Sequence, residues 1–333
     1  DYQYLDTYTI TDANYDGNIG LNPSRLFNPY FAWEESRKME AALELGMVKD
    51  RISFEAAYYN NRSDNQLIGI PLPGTTGFSS INVNLDVVIE NSGWELSLHT
   101  VNIRNDNFTW NTSILLTLPQ NKLIAFDGLE NSTYAERLVI GHPISLYRLY
   151  HLQGINQQTG LFEFEDYNGD GIISVDDRQY NADLTPQFYG SISNYIQYKN
   201  WNLDFMLQFV KKDVLNEYSN AVIPGQMFNQ TTGILEGDVM QAYTTGMNAD
   251  VVTAFNQFRS SNGVISDGSF IRLKTLSLSY RIPLKQEGQA RCTVFAQGQN
   301  LWTITKFKGG DPEQPLGFMP PLQRISFGVK LEL

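Results

Sequence analysis

Nine stretches of this chain alternate apolar and polar residues with a period of two, and the connections between them alternate in length. In the clearest stretch, Trp201, Leu203, Phe205, Leu207 and Phe209 interleave with Asn202, Asp204, Met206 and Gln208. That pattern places one set of side chains on each face of a strand. Short connections fall near residues 46–50, 103–107, 199–200 and 282–289. Long ones span about 61–87, 119–186, 211–267 and 301–322, and a further polar segment covers 1–33. Successive connections of an antiparallel sheet lie at opposite ends. Every long loop therefore collects at one end and every tight turn at the other. A membrane barrel with short inner turns and long outer loops has this layout. A β-sandwich also alternates, but rarely with loops so unequal.

The other strands repeat the pattern. Met39, Ala41, Leu43 and Leu45 lead, through a short turn, to Ile52, Phe54, Ala56 and Tyr58. Trp94, Leu96 and Leu98 come next, then Phe108, Trp110, Thr112, Ile114 and Leu116. Residues 189–198, 269–280 and 291–300 are further strands. The last sets Ile325, Phe327, Val329, Leu331 and Leu333 against Arg324, Ser326, Gly328, Lys330 and Glu332. Apolar faces of this kind suit lipid, and their polar reverse suits a wet lumen. Within the loops, IPLPGTTGF carries two prolines and two glycines and cannot be a central strand. The stretch 233–258 is expected to be partly helical. Asp12, Asn14 and Asp16 read as Asx turns.

Composition excludes several classes. The net charge of −12 argues against a nucleic-acid partner, which would require a basic footprint. No run approaches 18 apolar residues, so no transmembrane helix is expected, which leaves a transmembrane barrel open. The single Cys292 rules out an internal disulfide. His99, His142 and His151 are scattered and form no zinc signature. No serine sits in a GxSxG elbow and no carboxylate pair stands out. No catalytic residue is assigned, and the chain is not expected to be an enzyme.

The sharpest local motif is DYNGDGIISVDD. Counting Asp166 as position 1 places Asn168 at 3, Asp170 at 5, the Ile172 carbonyl at 7, Ser174 at 9 and Asp177 at 12, with a glycine at the sharp turn. Hard oxygen ligands at that spacing suit a structural Ca²⁺. The twelfth ligand is Asp rather than the longer Glu, and the alternative is an Asx-rich turn without an ion. Among the aromatics, Trp33, Trp94, Trp110 and Trp201 sit at strand ends and read as an interfacial girdle. Trp302 is expected to begin an external loop and is the first ligand-binding candidate. Tyr147, Tyr150 and Tyr243, in long loops, are the others.

A series of motifs then runs over nearly the whole chain. It begins with Asn28-Pro29 before Trp33-Glu34, Asp50-Arg51-Ile52 leading to Tyr58-Tyr59, and Pro73 with Thr76-Gly77-Phe78. Asn91, Gly93 and Glu95, then Phe108 and Trp110, Gly154-Ile155 and Thr159-Gly160 follow. The segments 166–177 and 267–272, Leu278-Ser279-Tyr280, Asn300-Leu301 and 309–313 complete it. In order and spacing the series resembles the SusC/RagA-like TonB-dependent transporters of Bacteroidetes outer membranes. The resemblance implies a barrel of about 22 strands with an N-terminal plug inside, energised by TonB, and a SusD-like surface lipoprotein over its mouth.

The expected fold is therefore all-β: residues 1–333 form the C-terminal part, nine strands, of a transmembrane antiparallel barrel in the outer membrane. Nine is odd, whereas a closed bacterial barrel has an even count. Upstream strands and a plug domain are expected to come from outside this sequence, with lipid around the barrel. The expected function is import of oligosaccharides. The alternatives are peptide import and a glycan- or peptide-binding module that does not transport. A secreted enzyme on a β-sandwich is the reading from a different class.

Overall fold

The computed structural model describes residues 5, 7–15, 18–26, 28, 30–220, 249–283, 291–316 and 319–332. In chain order, a hairpin of β1 (Tyr8–Tyr15) and β2 (Asn18–Pro23) precedes β3 (Glu35–Met47) and β4 (Ile52–Asp64). A second hairpin, β5 (Gln66–Pro71) with β6 (Ser80–Leu85), leads to β7 (Val87–Arg104) and β8 (Phe108–Phe126). The longest loop then builds β9 (Tyr147–Leu149), β10 (Leu152–Ile155), β11 (Phe162–Phe164) and β12 (Tyr180–Ala182). Next come β13 (Phe188–Tyr198), β14 (Trp201–Lys211), β15 (Asp213–Leu215), helix α1 (Ala249–Phe258) and β16 (Ile265–Asp267). The chain continues through β17 (Phe270–Ile282), β18 (Arg291–Thr305) and β19 (Arg324–Glu332).

The nine long strands form one sheet in the order β19-β18-β17-β14-β13-β8-β7-β4-β3, with β3 and β19 at its edges. These are the nine strands that the period-two pattern marks. Several run further than the pattern implies. β8 extends to Phe126 rather than stopping at 119, and β18 extends to Thr305 rather than breaking at 301. The connection across 61–87 is a β-hairpin (β5–β6), outside the main sheet, as its prolines require. Tight turns do alternate with long excursions. One is the two-residue turn Lys199–Asn200, closed by the pair Tyr198↔Trp201. There Lys199 takes a left-handed φ of 52°, which such a hairpin demands at its first position.

Register shows the two faces directly. Leu203 pairs with Ile196 on one side and Leu278 on the other, and Leu278 continues to Ala296 and Phe327. One residue along, Asp204 pairs with Tyr195 and Ser277, and Ser277 with Gln297 and Ser326. The apolar row stays apolar across five strands and the polar row stays polar. The apolar face is left open to the surroundings: Phe327 is 80% exposed. Near the tight turns it carries an aromatic cluster, with Trp201 4.6 Å from Tyr280 and Phe108 6.4 Å from Tyr198, centroid to centroid.

Two features interrupt the pattern. Asn194 sits on the apolar face opposite Phe205 and Thr112. It is nearly buried, and its Oδ1 accepts from Trp110 Nε1 at 2.9 Å and Thr112 Oγ1 at 2.7 Å. Gly190 is the other. A Cβ there would come 2.1 Å from the Leu115 carbonyl oxygen and 2.6 Å from the Phe209 ring, so the close approach of β8 to β13 requires glycine.

The described chain divides into two compact units. The first comprises Asp1–Glu40, Tyr59–Ser92 and Gln120–Ile144. In it the motif around residues 28–34 pins the β5–β6 hairpin. Asn28 Nδ2 donates to the Asn82 carbonyl at 2.9 Å, and the Leu67 N–H donates to Glu34 Oε1 at 3.0 Å. Asn84 Nδ2 donates to the Ala32 and Asn65 carbonyls. The second unit comprises Ala41–Tyr58, Gly93–Pro119 and Ser145–Leu333, and it holds the principal core. That core lies in the loops rather than the sheet: Tyr150, Phe162, Phe164, Phe255, Phe258 and Val264 pack together, with the Phe162 and Phe258 rings stacked at 4.3 Å.

Candidate ligand-binding site

The loop core exists because helix α1 is amphipathic. Ala254, Phe255 and Phe258 turn inward and are buried, whereas Thr253, Asn256 and Gln257, continued by Ser260, form a polar stripe at i, i+3, i+4 and i+7. That stripe is one wall of a cleft of about 440 Å³. Tyr150, Arg178, Ser219 and Arg259 supply the rest. Its elements are held by polar contacts. The Tyr150 N–H donates to the Ser260 carbonyl and the Asn262 N–H to the Tyr150 carbonyl, both at 2.9 Å. Gln257 Nε2 donates to the Ile173 carbonyl at 3.1 Å, which ties the helix to the 166–177 segment. Arg259 Nε donates to the Ser219 carbonyl at 3.2 Å. Arg178 lays its guanidinium over the Tyr150 ring, 4.9 Å from the centroid.

The 166–177 segment is a self-bonded loop. Asp166 accepts from the Gly169 and Gly171 N–H groups, both at 2.8 Å, and Asp170 Oδ1 accepts from the Ile172 N–H at 2.7 Å. Gly169 and Gly171 take φ values of 71° and 80°, so glycine is needed at both. Asp177 is fully buried; its oxygens accept from the N–H groups of Tyr167 at 2.8 Å, Asn168 at 3.4 Å and Ser174 at 2.8 Å. Those bonds, the Ser174 one foremost, hold its carboxyl below the usual Asp range, against the opposing effect of burial. Ser174 and Asp177 also form a reciprocal capping box on a short 3₁₀ turn. Among the described residues, no three His, Cys, Asp or Glu side chains are grouped so as to hold a metal ion.

The ligand candidates are dispersed. Trp302 does not begin a loop. It lies within β18, opposite Leu273 on the apolar face, and is 44% exposed there. Tyr150 is a core residue, 5% exposed, although its ring also floors the cleft. Tyr147 is an exposed residue of the β9–β12 pair. Tyr243 lies outside the described residues. Sequence reasoning missed Arg178, Arg259 and the polar stripe. The stripe was detectable as a helical repeat, whereas nothing in the sequence brings residues 150, 178 and 253–260 together.

A second cluster joins the last long loop to the sheet. Arg272, on the polar face and 1% exposed in its side chain, donates to Asp311 Oδ2 at 2.6 Å, Glu313 Oε2 at 2.5 Å and Thr303 Oγ1 at 2.9 Å. Nearby, burial pushes the Lys212 ammonium down, and Glu313 and Asp311 pull it back up. Gly268 is packed so closely that a Cβ would meet Val214 Cγ1 at 2.5 Å.

Known proteins resemble this chain in sequence and in fold. Residues 2–301 match the family described as TonB dependent receptor-like, beta-barrel. TonB-dependent receptor P26 of Formosa agariphila is 29% identical over 91% of the chain, and TonB-dependent receptor SusC of Bacteroides thetaiotaomicron 23% identical over 95%. The chain spans about one third of the length of these relatives, 33% and 34%. A solved structure described as that of the RagAB peptide transporter superposes on 99% of the chain with a TM-score of 0.76 at 22% identity, and the chain covers 38% of it. The same importer in its open-open state gives 0.75.

Proposed function

The chain belongs to the SusC/RagA-like TonB-dependent receptors of the outer membrane, and from that membership we propose that it is the C-terminal part of a peptide importer. In this reading the apolar face of the nine-stranded sheet meets lipid and the polar face lines the lumen. The strands continue into upstream strands that complete a plugged barrel of about 22 strands. A SusD/RagB-like lipoprotein covers the loop end, and TonB drives the plug. The proposed role is transport without catalysis.

Peptide takes the place of oligosaccharide as the proposed substrate. The observation that carries it is the superposition of 99% of the chain on a structure whose description names a peptide transporter. The amide and hydroxyl stripe of the α1 cleft is compatible with it, because these side chains can pair with the donors and acceptors of a peptide backbone. The test uses the full-length protein co-purified with its lipoprotein. Titration with a mixed peptide library and with neutral oligosaccharides, read by native mass spectrometry and calorimetry, should show peptides alone retained. Retention of oligosaccharides with no peptide binding would overturn the reading.

Calcium at Asp166, Asn168, Asp170, the Ile172 carbonyl, Ser174 and Asp177 is a separate proposal. It is supported by the spacing and by the bond from the Gly171 N–H at position 6 to Asp166 at position 1. Its structural role would be to stiffen a loop that already holds itself by backbone hydrogen bonds. Calorimetry on the full-length protein at millimolar calcium tests it, and no heat of binding would remove it.

A further inference from the structure

We infer that the α1 cleft is a carboxylate-recognition subsite, in which Arg178 and Arg259 take an anionic group of the incoming peptide. The inference rests on the peptide reading above and adds a chemical requirement to it. Its starting point is the charge of the cleft lining. The chain carries 36 acidic against 24 basic side chains, so carboxylates are the commoner partners by far. Three arginines outside the cleft do find them: Arg37 with Glu35 and Asp64, Arg62 with Glu90, and Arg272 with Asp311 and Glu313. At the cleft two arginines line one cavity whose other described walls are Tyr, Ser, Thr, Asn and Gln. Among the described residues neither Arg178 nor Arg259 has an ion-pair partner within 4.0 Å.

Arg178 is the more informative of the two. Its Nε is buried from solvent and has no hydrogen-bond partner among the described residues. Buried polar nitrogens are almost always satisfied, and one that is not calls for a ligand or some other account. The guanidinium carbon lies over the Tyr150 ring, 4.9 Å from its centroid, and that ring is itself locked into the loop core. Stacking of this kind restrains the guanidinium, and because Nε is closed off from solvent the terminal Nη groups are the donors a planar acceptor would meet. A carboxylate is such an acceptor and takes two parallel N–H bonds from one guanidinium. Arg259 is held by its Nε on the Ser219 carbonyl, which fixes that guanidinium too beside the cleft. Asn256, which lines the same cleft, supplies an amide for the adjoining peptide group. The volume of about 440 Å³ lies within the range of small-ligand clefts, enough for one or two terminal residues.

The carboxylate has two sources in a peptide: the free C-terminus, or an Asp or Glu side chain. Three matched peptides separate them in calorimetry on the full-length protein with its lipoprotein: a neutral peptide with a free C-terminus, the same peptide C-terminally amidated, and an amidated peptide with one Glu. Weaker binding of the amidated neutral peptide by about tenfold or more, the loss expected for a charged hydrogen bond, is the expected result. Recovery by the Glu-bearing peptide would assign the side chain as a source, and no recovery would assign the C-terminus. Arg178→Gln and Arg259→Gln should each erase the preference for the acid peptide over its amide, read as the ratio of the two affinities within each variant. The comparison on the unaltered protein stands even where a variant fails to fold. Equal affinity for all three peptides would overturn this inference and leave the peptide reading intact. Oligosaccharide binding with no peptide binding would overturn both.

Discussion

Arg272 Nη2 lies 2.6 Å from Asp311 Oδ2, and this contact ties the last long loop to the polar face of β17. The guanidinium is 1% exposed and also holds Glu313 and Thr303, so three of its donors are committed. A buried Arg with two carboxylates stabilises little in net terms, because desolvation offsets attraction. Its removal is another matter, since two carboxylates would remain beside each other with only the partly buried Lys212 and Lys274, 3.6 Å from Glu313, to offset them. Arg272→Ala should therefore cost about 3–5 kcal/mol, the range for breaking a buried pair. Glu313 is a third exposed, which places the expected value at the low end. Limited proteolysis should cut within 306–323 in the variant and not in the parent, and a double variant with Asp311→Asn should recover part of the loss. Equal protease resistance would refute the tie.

The paired rows across the sheet make opposite demands at neighbouring positions. Phe205→Arg should cost about 2–4 kcal/mol if its face meets lipid at mid-depth. Thr substituted for Asp204, on the other face, should change stability little. Nitroxide labels at 203 and 204 should report lipid and water, respectively. Equal water accessibility would rule out the assignment of faces.

Gly190 leaves room for no side chain. Gly190→Ala must move the Leu115 carbonyl or the backbone of β13, and overpacking of this kind costs about 1–3 kcal/mol. Gly328→Ala meets the Phe295 ring at 2.4 Å, which can rotate away, and should be the milder change. Heat-modifiable gel migration of the two variants in the full-length barrel checks the order. A Gly328 variant that melts first would contradict it.

Asp177 sets an acid limit on the 166–177 loop. Its folded carboxyl titrates below the value for an unfolded Asp, about 3.9. It therefore stabilises the loop fully above that value, and the contribution fades as pH falls through the lower folded value. Hydrogen exchange at the Tyr167 and Ser174 amides should be insensitive to loop opening between about pH 5 and 8 and should show added opening only below about pH 4. Asp177→Asn should show faster exchange at neutral pH and no acid transition. An unchanged acid transition in that variant would exclude Asp177 as its source.

The sheet was legible from the sequence because each strand exposes its faces to two different surroundings, and that leaves a period-two record. The strand Trp201–Lys211 needs no other information. The loops keep no such record. β9, β11 and β12 are three residues each, too short for any period, and their hairpins form because the loop folds around its own core. For the same reason Tyr150, in a long polar loop, turned out to be a core residue. Trp302 was placed by the assumption that β18 ends near 300, whereas the pairing with Leu273 carries the strand past it. The cleft draws Tyr150, Arg178 and Arg259 from separate segments, and only tertiary contact joins them.

The Asn194 amide has a consequence for how the strands find their partners. Alternation forbids a slip by one residue, which would turn every apolar side chain to the wrong face. A slip by two residues keeps each face correct, and hydrophobicity cannot penalise it. Asn194 can. Displaced by two, it sits opposite Trp110 or Ile114 instead of Thr112, the paired geometry of its two bonds is broken, and a polar group left unsatisfied on this face is costly. Periodicity decides which way each side chain points; this one amide decides which rung of the ladder β13 occupies against β8.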